Sequence, residues 1–173
     1  MRVAFKKFAK GFDGIEVIFD DNERREYKVP QKMGIPHDAI HWIVERQLGL
    51  ANGFWAHAAR KFAFEEIGAL VKEGGHASSS RAQVPSPDIV ELIFAERIVE
   101  CFEAEIHTAP SSPETFRSVL EAACRASFIQ PRPTSDSEIK EVRARIDEFA
   151  HRWRALPEGG SIHGSFLPNM SRL

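Results

Sequence analysis

Ile15-Glu16-Val17-Ile18-Phe19-Asp20-Asp21-Asn22-Glu23-Arg24-Arg25-Glu26-Tyr27-Lys28-Val29 alternates from side to side, with a polar break at its middle. Ile15, Val17 and Phe19 share one side and Glu16, Ile18 and Asp20 the other; beyond the break, Tyr27 and Val29 alternate with Glu26 and Lys28. A period of two belongs to a half-buried strand, and Asp20-Asp21-Asn22-Glu23 has the composition of a tight turn. Upstream, Val3 and Phe5 begin another alternating run, set off by Gly11-Phe12-Asp13-Gly14. Residues 2–31 thus predict a three-stranded antiparallel meander. Such a sheet must bury one face against something else.

The partner is the remainder of the chain, where the apolar period becomes helical. A first helix is expected from about Pro36 to Leu48, with proline in its first turn and Gly49 as its stop. A second should run from about Gly53 to Val71, a third from about Pro87 to His107 and a fourth from about Pro113 to Ile129. Ser135-Asp136-Ser137-Glu138 is a capping box that opens a fifth, reaching about Leu156. Its stripe of Ile139, Val142, Ile146, Phe149 and Trp153 docks one narrow face. His76 to Val84, with three successive serines, reads as a flexible connector. The expectation is an α+β fold: an N-terminal three-stranded meander followed by about five helices, with residues 1–156 as one domain and 157–173 as an extended C-terminal tail.

Composition narrows the function classes. The chain has 173 residues, enough for one domain with a sizeable core, and 23 basic against 25 acidic residues leave a formal net charge of -2. That balance gives no electrostatic case for nucleic acid. Arg143, Arg145, Arg152 and Arg154 alternate with Glu141, Asp147 and Glu148, the pattern of a solvated helix face. No apolar run is long enough to span a bilayer, and Met1 leads straight into a charged, alternating segment, so a cytoplasmic location is expected. Cys101 and Cys124 fall in helical patterns and read as two buried, reduced thiols.

The chemistry-bearing segment is Pro36-His37-Asp38-Ala39-Ile40-His41. Two histidines four apart lie on one helix face, a spacing that clamps a divalent metal, and here that face also carries Val44 and Leu48 toward the core. His37 sits in the first turn, where the helix dipole disfavours imidazolium, and neutral imidazole is the form that binds metal. On the second helix, Glu66 falls within the apolar stripe of Trp55, Ala58, Ala59, Phe62, Ala69 and Leu70, and a carboxylate there needs a cation, a metal or a proton. If the two helices pair antiparallel about Gly49–Asn52, His37 comes level with Glu66. The expected site is zinc held by His37, His41 and Glu66 with a position open to water, and with Asp38 or Glu45 as base acting on a small-molecule substrate. The bland role of Asp38 is a favourable first-turn charge, and Glu45, level with His57, is expected in a surface contact.

Strands, then a His-x-x-x-His helix, then a second helix with Glu resemble the gluzincin metallopeptidases. Their motif is His-Glu-x-x-His with a later Glu as third zinc ligand. The resemblance implies His37, His41 and Glu66 as ligands, with Asp38 standing where those enzymes carry the Glu base. His-Asp-x-x-His also looks like the zinc motif of a coenzyme Q biosynthesis family, whose following Glu is matched here by Gly53, so the likeness stops at its first half. The segment from Pro36 to Glu45, with Leu48-Gly49-Leu50 and Gly53-Phe54-Trp55, is similar to a group of small bacterial proteins sharing a Pro-His-Asp-x-x-His-x-x-x-Glu core. That likeness covers about the first third of the chain and brings no activity with it.

The third helix carries apolar residues on two sides, Ile89, Leu92, Ile93, Val99, Phe102 and Ile106 on one and Phe94, Ile98 and Cys101 on the other. A central position in the fold is the favoured reading, burial in a dimer the other. Glu96 and Glu100 lie inside the broader apolar arc, where pairing with an arginine is the expected role and metal ligation the alternative. The rival to a metal enzyme is a non-catalytic domain with structural core histidines, using its sheet edge or third helix to bind a protein partner or itself.

Overall fold

The computed structural model of the chain describes residues 1–9, 11–31, 34–73, 84–106 and 108–167. Strands β1 (Arg2–Lys6), β2 (Phe12–Ile18) and β3 (Arg24–Pro30) form the antiparallel meander. Asn22 takes φ 65° in the β2–β3 turn, a left-handed conformation that Asn tolerates better than most residues. A fourth strand, β4 (Ser161–Ser165), pairs antiparallel with the free edge of β1, giving the order β3-β2-β1-β4. The segment expected as an extended tail is thus extended at its centre, but as a paired edge of the sheet.

One face of this sheet is the floor of the core. Phe5 lies opposite Ile15 on β2 and Ile162 on β4, and all three are buried. The Phe5 ring meets Trp42, Trp55 and Phe149 edge to face at 6.0, 5.9 and 5.6 Å, so one strand residue touches three helices. Those helices are α1 (His37–Leu48), α2 (Phe54–Ala59) and, after α3 (Phe64–Glu73), α4 (Val90–Ile106) and α5 (Pro113–Ala126), the C-terminal α6 (Asp136–Ala155). α1 touches α2, α4 and α6. It ends at Gly49, whose φ of 63° suits a residue without a side chain, and the Gly49 and Leu50 amides both donate to the Glu45 carbonyl. The capping box at Ser135 and Glu138 is present, with both reciprocal hydrogen bonds.

α4 is central: Leu92, Ile93 and Val99 on one side and Phe94, Ile98 and Cys101 on the other are all buried within the chain itself. Cys101 and Cys124 are buried and unbridged. Among the described residues no helix is long and apolar enough to cross a membrane. The expected connector at 76–84 lies outside the described residues apart from Val84, which is exposed.

The expected single helix from Gly53 to Val71 is instead two, α2 and α3, parted at Arg60–Ala63. Lys61 takes φ 70°, and its ammonium reaches Asp21 at 2.5 Å and Glu23 at 2.8 Å in the β2–β3 turn. Arg25 of β3 donates to the Lys61 carbonyl at 2.7 Å, and Phe64 then stacks on Tyr27. The helical period holds on both sides of the break. Contacts to the sheet decide that the chain turns there.

Candidate metal centre

α1 brings His37, Asp38, His41 and Glu45 to the side that meets α4, whose Glu96, Glu100 and Glu103 recur at i, i+4 and i+7 on one face. His37, His41 and Glu96 converge: one ligand atom from each lies within 4.8 Å of the others. The carboxylate of Glu96 faces both rings, Oε2 at 4.0 Å from His37 Nε2 and Oε1 at 3.5 Å from His41 Nε2.

The outer ring nitrogens are engaged as well. His37 Nδ1 lies 3.1 Å from Glu103 Oε2, and His41 Nδ1 lies 3.0 Å from Glu45 Oε1. A carboxylate only accepts, so each Nδ1 is the donor in these pairs. Both Nε2 atoms therefore face inward, toward Glu96. His41 Nε2 is buried and makes no hydrogen bond. Two imidazoles and one carboxylate converging, each imidazole backed by a further carboxylate, is a donor set suited to a divalent transition metal.

Access to the cluster is one-sided. The side chain of His41 is 1% exposed and that of Glu45 0%, against 25% for His37 and 14% for Glu96. Burial opposes a charge on His41, but the neighbouring Glu96 charge and the hydrogen bond with Glu45 outweigh it and push the imidazole up to about 10. Burial likewise opposes ionisation of Glu96, yet His41, His37 and Arg97 hold its carboxyl at about 2. Asp38 is half-buried; burial pushes its carboxyl up while His37 and His41 pull against that shift. Burial also raises Glu100, which pairs with Arg97 at 3.1 Å as expected of it.

Glu66 stands apart from this group. It lies in the first turn of α3, where its exposed carboxylate accepts from the Ala63 amide at 2.6 Å, one half of a capping box. Because the chain breaks between α2 and α3 before Phe64, Glu66 is not carried on a helix that runs continuously back alongside α1 to the level of His37. The expected surface contact between Glu45 and His57 is also corrected: both are buried, and His57 Nδ1 donates to the Gly53 carbonyl at 2.8 Å. Glu96 had a sequence signal, an acid inside an apolar arc. Glu103 was legible only as the continuation of the Glu96–Glu100 face.

Comparison of the chain with family models, curated proteins and solved structures found no match to any of them.

Proposed function

We propose that the protein is a divalent-metal protein, with zinc as its ion, and that His37 Nε2, His41 Nε2 and a Glu96 oxygen are the ligands. The observation that carries this reading is the pairing of both Nδ1 atoms with carboxylates, which turns both Nε2 atoms and an acidic oxygen toward one point. Three protein ligands with one position left open is the pattern of catalytic zinc. An ion held there would supply Lewis acidity and a water of lowered pKa, the basis of hydrolytic chemistry on a small substrate. Asp38 is the base in this reading, because it is near enough for His37, His41 and Glu96 to act on its charge. Glu45 is not, since three donors already occupy its oxygens.

The test is elemental analysis of protein purified without a metal-affinity tag. Near-stoichiometric zinc is expected, abolished by His37→Ala with His41→Ala. Asp38→Asn should keep the metal and lose hydrolysis of activated ester and anilide substrates. The rival reading, a non-catalytic interaction domain with core histidines, draws on the same contacts, because Glu45 and Glu96 suffice to satisfy a protonated His41. A wild type without metal, and a double mutant that loses stability because the buried Glu45 no longer has its His41 partner, would decide for the rival.

A further inference from the structure

Glu45 is built into the core with an arrangement no other residue type satisfies. Oε1 accepts from His41 Nδ1 at 3.0 Å and from the Phe54 amide at 2.9 Å; Oε2 accepts from the Trp55 amide at 2.9 Å. Three donors meet two oxygens with no water-accessible surface on the side chain. Space for the carboxylate exists because residue 53 is glycine: a β-carbon there would lie 2.5 Å from both Cδ and Oε2 of Glu45. Trp55 ties the same two helices a second time, its indole N–H donating to the Asp38 carbonyl at 2.9 Å. The start of α2 is thereby locked to both histidine-bearing turns of α1.

We infer that Glu45 is a positioning residue of the metal centre, holding the Nδ1–H tautomer of His41 so that Nε2 is the coordinating atom, and that Gly53 is required for it to do so. This rests on the metal reading above. A glutamine at 45 tests the chemistry because it keeps the shape and adds a donor. With its oxygen toward Oε1, its NH2 group meets the Trp55 N–H. Turned over, the NH2 group meets the Phe54 N–H and drives His41 to the tautomer whose Nε2 carries the proton and cannot bind metal. Only an acceptor at both positions serves all three donors. The two histidines are consequently unequal: His41 is fixed from behind by a buried carboxylate, and His37, backed by the partly exposed Glu103, lies on the side open to solvent.

The experiment measures zinc affinity by chelator competition on the full chain, for wild type, Glu45→Gln and Gly53→Ala, with tautomers read by long-range 1H–15N correlation on histidine-labelled, zinc-loaded protein. Wild type should show His41 coordinated through Nε2 with a slowly exchanging Nδ1 proton. Both variants should bind zinc about 10- to 100-fold more weakly. A variant that only loosened the fold would lower the melting temperature and leave the tautomer as it was. Wild-type zinc affinity in folded Glu45→Gln, or coordination through Nδ1, overturns the positioning role alone. If Glu45→Gln does not fold, Gly53→Ala and the wild-type tautomer decide. Wild type that binds no zinc overturns the metal reading and this one with it.

Discussion

Tyr27 on β3 and Phe64 at the first position of α3 stack face to face, their centroids 3.7 Å apart and their planes 3° apart. Phe64 also meets Trp55 and Phe54 edge to face, at 5.7 and 4.7 Å. The stack joins the sheet to the turn that separates α2 from α3, and that turn is what carries Glu66 away from the histidines. An aromatic pair adds about 0.5–1.5 kcal/mol beyond the area it buries. A double-mutant cycle on Tyr27→Ala and Phe64→Ala, followed by urea unfolding, should give a coupling of about 1 kcal/mol. Additive single mutants would show that the stack does not hold the turn.

Gly164 on β4 lies under the indole of Trp42, and a β-carbon there would run into the ring. The Trp42 ring is held on its other sides by Phe5 and by the Arg46 guanidinium, 4.5 Å from its centroid. Gly164→Val is expected to destabilise by about 1–3 kcal/mol, the usual cost of overpacking. It should also shift tryptophan fluorescence, because the indole must move. A neutral result would mean that β4 detaches from β1 without consequence for the core.

These two contacts also show what was and was not legible in the chain. The meander, α1 and α6 are local: alternation, capping residues and a helical stripe act over a few neighbouring positions, and the structure follows them. Ser161-Ile162-His163-Gly164-Ser165 carries a single large apolar residue, so β4 is a strand only because β1 offers it a free edge. His37 and His41 were legible because their spacing is a property of one helix. Glu96 arrives from a helix far along the chain, and no local pattern states which acid will face them. Glu66 fitted the period of a helix that contacts with the β2–β3 turn interrupt.

The two acids therefore give a direct comparison. If the proposed centre forms, Glu96→Gln removes one of its three ligands, and zinc affinity should fall at least about 100-fold, more than the loss of a supporting group would cause. Glu66→Gln alters an exposed helix-start contact and should leave affinity within about twofold, with a stability cost no larger than a cap, about 0.5–2 kcal/mol. Chelator competition on the two single variants measures both. The reverse ranking would return the third ligand to α3.

Zinc binding should also depend on pH, because a metal must replace whatever protons the imidazoles carry. His41 is held up to about 10, so across neutral pH its ring is protonated in the protein alone. Affinity should accordingly rise with pH, by about tenfold per unit for each proton displaced. Calorimetry in buffers of different ionisation heat counts those protons. Zinc uptake with no proton release would mean that His41 is not a ligand.

The acid limit of the fold should lie elsewhere, at Glu105. This carboxylate, at the end of α4, takes a two-point contact from Arg143 on α6, Nε to Oε2 at 2.8 Å and Nη2 to Oε1 at 2.7 Å. It also accepts from the amide and the hydroxyl of Ser111, at 3.0 and 2.7 Å, so one side chain joins α4, α6 and the approach to α5. Burial works against its charge, but Arg143 and Ser111 outweigh that and hold its pKa below the ordinary 4.5. A carboxyl with a depressed folded pKa contributes stability that is fully present above its unfolded value and is lost as pH falls through the folded one. Melting temperature should therefore fall as pH drops below about 4.5, and Glu105→Gln should flatten that part of the curve. At neutral pH the same substitution should cost about 1–3 kcal/mol, since it removes charge-assisted hydrogen bonds and leaves Arg143 without its carboxylate. An unchanged acid slope in the folded variant would place the acid-labile contact at a different carboxylate.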